Sequence, residues 1–315
     1  MRQTDRQVYL DYNSTTPIDP RVLEAMLPFL KDNFANSSST HHFGQSINEK
    51  VKQARQQIAE FINADSDELI FTSGATEAIN IAIKGVAEND SYKGKHILTV
   101  STEHKAVMDS GQALENKGFE ITYLPVKNDG LIDLLELKHA IRNDTILVSV
   151  MFVNNETGVI QPIKEIASLA HEKGALFMTD ATQAAGKINI DVDELDVDLL
   201  CFSGHKMYAP NGIGALFVRQ RGKKVKLAPQ IHGGGHEKGL RSGTLNVPGI
   251  IALAKACEIA SEEITENKKA ISELRDSLEG ELLKFPNTSL NGDSDNRIYN
   301  TTNNCFFFGI QKCQK

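Results

Sequence analysis

Short apolar runs recur along this chain with helical patterns between them, and several of the runs end directly in a small polar cluster. Strand-like stretches cover 69–72, 96–100, 121–124, 146–153, 176–179, 199–202 and 213–218. Residues 77–86, 105–116 and 163–172 have the spacing of amphipathic helices. Apolar runs this short suit buried strands, and strands alternating with helices predict an α/β fold with a mostly parallel sheet. A long, outwardly charged helix is predicted over 246–283, with Pro248 in its first turn. Beyond it, 285–290 and 304–308 read as strands of a second, smaller layer. Asp19-Pro20 reads as a helix cap followed by proline at the first helical position.

Composition narrows the class. The 315 residues allow one large domain or two modest ones. With 40% hydrophobic and 24% charged residues there is enough apolar content for a real core. Lys plus Arg number 34 against 41 Asp plus Glu, a net charge of -7, which is not the footprint of a nucleic-acid binder. No apolar run approaches the roughly 18 residues of a membrane span, and residues 1–6 are polar, without a signal-type apolar segment. Four Cys with no CxxC pair argue against a disulfide framework or zinc ribbon. These features lead us to expect a cytoplasmic enzyme or binding protein that contacts neither membrane nor nucleic acid.

The polar clusters carry the chemistry. Ser73-Gly74-Ala75-Thr76-Glu77 follows the first strand, Asn154-Asn155-Glu156-Thr157-Gly158 the run 146–153, Asp180-Ala181-Thr182-Gln183 the run 176–179, and Ser203-Gly204-His205-Lys206 the run 199–202. Ligands in open α/β sheets sit outside the carboxyl ends of the strands, so four such clusters describe one site. Ser73-Gly74-Ala75-Thr76 has the small residues that let backbone N–H groups approach a phosphate at a helix start; a plain turn with Thr76 as cap is the competing reading. Asp180, at the end of a buried strand, needs a cation or donors. A protonated heterocyclic nitrogen would serve, and so would a structural ion pair. Lys206 at the edge of a core can act as a Schiff-base nucleophile or remain a surface lysine. His104 suits a base, a ring against a cofactor, or a partly buried structural histidine. His232-Gly233-Gly234-Gly235-His236 offers no fixed metal geometry. We read it as a mobile loop over a ligand or partner subunit and expect no metal. Arg241-Ser242-Gly243-Thr244 continues it and suits a further phosphate contact.

Taken together, in order, these motifs resemble those of the NifS/IscS-type cysteine desulfurases, within the fold-type I, class V aminotransferase-like enzymes that use pyridoxal 5′-phosphate (PLP). The resemblance runs from Tyr9-Leu10-Asp11-Tyr12-Asn13-Ser14-Thr15-Thr16-Pro17 through Phe71-Thr72-Ser73-Gly74-Ala75-Thr76-Glu77 and Thr102-Glu103-His104-Lys105-Ala106-Val107. It continues through the three later clusters to His232-Gly233-Gly234-Gly235-His236-Glu237 and Arg241-Ser242-Gly243-Thr244. It implies a large domain, a mostly parallel central sheet sandwiched by helices, over 16–260. A small α+β domain would begin over 261–315, with residues 1–15 packing against it. Lys206 would hold PLP as a Schiff base and carry a proton at the substrate Cα. Asp180 would pair with the pyridine nitrogen, His104 would stack on the ring and assist proton transfer, and Gln183 would bond the phenolic oxygen. Thr76, Ser203 and His205, with the backbone at Ala75, would hold the phosphate. Asn155 would contact cofactor and substrate, and Thr244 would reach the phosphate of the other subunit of a homodimer. The implied reaction takes L-cysteine to L-alanine and passes the sulfur to an acceptor, such as an iron–sulfur scaffold protein.

The sequence also departs from that pattern. The family's nucleophilic Cys, in a Ser/Gly-rich loop, and its substrate-binding Arg belong to a portion beyond Lys315. We expect an incomplete small domain and impaired persulfide transfer. Cys201 and Cys257 read as inert core residues, and Cys305 and Cys313 lack the neighbours of a nucleophile. Asn211 and Ala209 stand where the family often has Lys and Gly. Two other readings fit less of the pattern: a class V PLP enzyme needing no protein Cys, such as a selenocysteine lyase or aminotransferase, and a non-catalytic PLP-binding or dimerisation homologue.

Overall fold

The computed structural model describes residues 7–307. Its centre is a seven-stranded sheet of β1 (Leu69–Thr72), β2 (His96–Val100), β3 (Glu120–Leu124), β4 (Thr145–Ser149), β5 (Leu176–Asp180), β6 (Leu199–Ser203) and β7 (Gly214–Val218). The spatial order is β1-β7-β6-β5-β4-β2-β3. Only β7 runs against its neighbours; the pairs among β2 to β6 are parallel. Because β7 lies antiparallel between β1 and β6, β1 points the same way as β6, so all the polar clusters leave the sheet on one edge.

Side chains alternate between the faces of a strand, and the core divides accordingly. Phe71, Phe177, Leu200, Phe202 and Phe217 face one layer with α2 (His42–Phe61), α5 (Leu134–Ala140), α6 (Ile163–Glu172) and α7 (Val247–Leu282). Ile70, Met178, Leu199, Cys201 and Leu216 face the other, with α3 (Ala75–Ala87) and α4 (Lys105–Glu115). Each large side chain buried in this way stabilises the fold by about 1.5–3 kcal/mol. The first helix, α1 (Pro20–Lys31), packs Val22 on the outer side of α7 against Ala252 and Ala256. Asp19 caps it by accepting from the Arg21 N–H, with Pro20 in the first turn, as the sequence predicts.

The differences from expectation have physical causes. β3 is the sheet edge and only half-buried, although its apolar run reads as interior. The run 146–153 leaves the strand at Ser149. Its next residues stay buried because the Val150 and Phe152 N–H groups donate to the Met178 and Asp180 carbonyls. The helix α2 was not anticipated: its buried stripe of Ile47, Val51, Ala54 and Ile58 is diluted by Glu, Lys and Gln on its other faces. The seven-residue α5 is too short for its period to show.

α7 runs without a break across the boundary expected at 260/261. Beyond it β8 (Thr288–Leu290) and β9 (Asn304–Phe306) form an antiparallel pair. Phe308 of the expected strand, and Cys313, lie outside the described residues. Cys305, in β9, is disulfide-bonded. Among the described residues no helix is long and apolar enough to cross a membrane.

The amino edge of the sheet is closed by ion pairs. Asp198, 1% exposed in its side chain, accepts from the Phe177 N–H at 2.8 Å and pairs with His171 at 2.7 Å and Lys223 at 3.5 Å. Burial opposes its ionisation, but these partners hold its carboxyl below the usual range. The same bond raises the His171 pKa. A raised histidine stabilises the fold fully below its unfolded value, about 6.5, and the contribution fades as pH rises through the folded value. His171→Gln should therefore cost about 1.5–3 kcal/mol at about pH 5.5 and less at about pH 9, read from urea midpoints. At the other edge, a Cβ on Gly214 would lie 2.7 Å from the Gly74 Cα and 2.7 Å from the Phe202 carbonyl oxygen. Gly214→Ala must part β7 from the turn after β1, and should lower stability by about 1–3 kcal/mol in the same assay.

Candidate active site

A cavity of about 1190 Å³ opens at the carboxyl edge of the sheet. Nine of the ten residues expected at a site line it: Ala75, Thr76, His104, Asn155, Asp180, Gln183, Ser203, His205 and Lys206. They arrive from the ends of β1, β5 and β6 and from the loops after β2 and β4. Thr244 is solvent-exposed and is not among the lining residues.

One end of the cavity is built for an anion. Gly74 has φ +153° and turns the chain from β1 into α3, whose first N–H groups have no intrahelical partner. The absent Cβ of Gly74 leaves room 3.4 Å from the Ser203 Oγ. His205 stands beside this turn with its Nδ1 3.1 Å from the Thr15 Oγ1. Burial, then the charges of Lys206 and Lys187, push its pKa down, so the imidazole is neutral at neutral pH. Arg241, expected as a phosphate contact, is engaged elsewhere: its Nε lies 2.6 Å from Glu77 in the first turn of α3. Glu77 also accepts the Ser73 N–H at 2.6 Å. Burial opposes its charge, but these donors outweigh it and hold its carboxyl low. Arg241 thus braces the turn, because a carboxylate already occupies its guanidinium.

The floor carries the acid and the amine. Asp180, 6% exposed, uses Oδ1 to accept the Thr182 N–H at 2.9 Å and the Cys201 thiol at 3.6 Å. Its Oδ2 takes no hydrogen bond from the described residues. Lys206 lies in the helical turn after β6, and its ammonium donates to the carbonyls of Asn13 and, at 2.6 Å, Ser14. Burial lowers its pKa, with Asp11 and Asp180 pulling the other way, which raises the share of free amine at neutral pH. Gln183 donates to the Asn13 carbonyl at 2.8 Å. His104 caps α4, its Nδ1 accepting the Ala106 N–H at 3.1 Å. That bond fixes the ring and places the proton of a neutral imidazole on Nε2. His104 is exposed toward the cavity rather than partly buried.

Several contributors escaped the sequence reading. Residues 11–16 form a strap: beyond Lys206 and Gln183, Asn13 donates to the Asn155 carbonyl at 3.3 Å and the Thr301 Oγ1 at 3.0 Å. The carbonyls that do this work belong to no residue type, so no motif announces them. Lys187 donates to the Gln183 and Lys206 carbonyls, and burial pulls its pKa down to about 8. Glu237 anchors the glycine-rich loop: it pairs with Arg55 at 2.5 Å and accepts the Phe71 N–H at 2.7 Å, although its own φ is +48°. The two histidines of that loop make no metal site; among the described residues no cluster of three or more His, Cys, Asp or Glu could hold an ion.

Comparison with known proteins gives the family. The family model for class-V aminotransferases matches residues 8–314. A cysteine desulfurase IscS of Ehrlichia chaffeensis is 52% identical over 97% of this chain and 75% of its own length. The IscS of Dechloromonas aromatica is 50% identical over 96% of this chain and 75% of its own. Among solved structures, a NifS-like protein superposes with a TM-score of 0.91 at 39% identity, covering 95% of this chain and 82% of that one. SspA in complex with cysteine does so with 0.83 at 41% identity, over 96% and 84%. With the family model matched over residues 8–314 and relatives about 50% identical over nearly its whole length, the chain belongs to the class-V aminotransferase family.

Proposed function

We propose that this protein works as a cysteine desulfurase dependent on PLP, removing sulfur from L-cysteine to leave L-alanine. The observation that carries this reading is the meeting, in one cavity, of an open helix start, an amine made less basic by burial and a buried carboxylate with one oxygen uncommitted. The fit to PLP rests on those same features. The α3 start, with the Ala75 backbone, Thr76, Ser203 and neutral His205, suits a phosphate. The uncommitted Oδ2 of Asp180 suits a protonated ring nitrogen. The Thr182 Oγ1 beside it is buried without a partner among the described residues, an unmet polar group of the kind a ligand satisfies.

When bound, PLP supplies the electron sink that such chemistry at the substrate's Cα requires. The chain's residues do the rest. Lys206 would hold the cofactor and then carry a proton at the substrate Cα; to do so it leaves the carbonyls of Asn13 and Ser14. Asp180 would keep the ring nitrogen protonated, and Gln183 would bond the phenolic oxygen. The fixed His104 ring would contact the cofactor and offer Nε2 for proton transfer, and Asn155 would orient the cofactor and substrate. Cys201 and Cys257 take no part, because burial drives both thiols up and leaves them un-ionised. The sulfur therefore passes to a different thiol, and onward to an acceptor protein such as an iron–sulfur scaffold. Thr244, exposed on its loop, would complete the phosphate site of a second copy in a homodimer. Residues 16–260 would act as the large domain and 261–315 as part of a small one, toward which Asn13, in the segment 1–15, reaches through the Thr301 Oγ1.

Visible absorbance on adding PLP tests this. The wild type should develop a lysine-bound cofactor band that shifts with L-cysteine. Lys206→Ala should lack the band and lose at least about 10²–10⁴-fold in any turnover. A band that persists in Lys206→Ala would sink the assignment. Asp180→Asn should keep the band and bind PLP about 10–100-fold more weakly, as expected on losing a charge-assisted hydrogen bond.

A further inference from the structure

Glu103 lies in the turn between β2 and α4, next to His104, and it is 8% exposed. Its Oε1 accepts the Met151 N–H at 2.5 Å. Its Oε2 is buried with no hydrogen-bond partner among the described residues. Among the described residues no cation stands against it; the charge acting on it is that of Asp180. The Cys201 thiol donates to the Asp180 Oδ1 at 3.6 Å. The same two loops are tied a second time, where the Asn154 Nδ2 donates to the Thr102 carbonyl at 3.1 Å. Met151 and His104 both line the cavity.

Two adjacent buried carboxyls do not both ionise when one of them has an unpaired oxygen and no cation. Asp180 has two donors on Oδ1 and the nearby Lys206 ammonium. Glu103 has one backbone N–H. Burial, reinforced by the charge of Asp180, therefore drives the Glu103 carboxyl well up. The titratable groups at this corner are Asp180 from β5, Cys201 from β6, His104 on the same turn and Lys206 after β6. Cys201 stays protonated, since burial and both carboxyls raise it.

We propose that Glu103 is a positioning residue acting as a neutral carboxylic acid, which ties the His104 turn to the end of β4 and leaves Asp180 the single negative charge on the cavity floor. A second negative charge there would be buried without a partner, repel Asp180 and compete for the proton that Asp180 is assigned to hold on a ring nitrogen. That consequence rests on the role proposed for Asp180; the protonation of Glu103 itself does not.

The sign of the pH effect is fixed by linkage. A carboxyl raised in the folded state keeps a proton that the unfolded chain gives up above about pH 4.3. Stability then falls as pH rises, by about tenfold in the folded-to-unfolded ratio per pH unit, until the folded value is reached. Glu103→Gln keeps an oxygen acceptor for the Met151 N–H and has no proton to lose. Between about pH 6 and about pH 9 the apoprotein should lose stability relative to Glu103→Gln at up to that slope; parallel curves would overturn the proposal. Infrared spectra of the wild-type apoprotein give a reading that needs no variant to fold. A protonated carboxyl stretch should be present at neutral pH, and its absence overturns the proposal.

With PLP added, Glu103→Gln should bind within about threefold of wild type, while Glu103→Ala, which orphans the Met151 N–H, should bind at least about tenfold more weakly. Equal weakening by both would reject the positioning role. If the wild type took up no PLP, the proposed function would fail, and the infrared and pH results would still decide the charge state of Glu103.

Discussion

A sheet covered by helices on both faces has no solvent for charge except at its edges, and the rest of this structure follows from that constraint. Every ionisable group at or next to a strand end must find a partner at one edge or the other. Asp198 and Glu68 meet this at the amino edge. Each is about 1% exposed or less, and each is closed by backbone N–H groups and basic side chains. His96, at the same edge, is satisfied on both nitrogens by the hydroxyls of Thr145 and Thr122. Such closed networks hold the fold together and leave nothing for a ligand.

The carboxyl edge is different because its networks stay open. Asp180 is bonded through one oxygen, the hydroxyl of Thr182 is unmet, and the first turn of α3 presents bare N–H groups. The amine of Lys206 donates its hydrogen bonds to backbone carbonyls of the strap that crosses it. Unmet polar groups on an otherwise well-packed sheet lower the stability of the free protein and favour a ligand that supplies the missing partners. The chemistry argued for the cavity depends on this contrast between the two edges more than on any single residue.

Loops keep the open edge in register. Glu237 joins Arg55 of α2 and the Phe71 N–H of β1, while the Arg55 guanidinium lies 4.3 Å from the Phe71 ring centroid. Arg241, on the same loop, braces the first turn of α3 through Glu77. The exposed Thr244 thereby follows a segment fixed at Glu237 and Arg241 to α2, β1 and α3. The positive φ values at Glu237 and Lys238 are held by that buried ion pair and hydrogen bond.

The strands from 69–72 to 213–218 were legible because each buried strand is a short apolar run, and burial is what sequence period reports. The site was legible for a related reason. Gly74, Asp180 and Lys206 stand directly after such runs, and residue type alone limits what they do there. The antiparallel setting of β7 was not legible, since a tight turn at Gly212 and a longer connection leave the same local pattern. Nor was the edge position of β3, the strap of carbonyls over Lys206, or the neutral state argued for Glu103. Alternation of apolar runs, helix caps and the chemical identity of the edge residues were set by the sequence alone. Strand order, the pairing of Arg241 with Glu77 and the charge on each buried carboxyl were decided only in the tertiary structure, because they depend on groups far apart in the chain and on how little water reaches them.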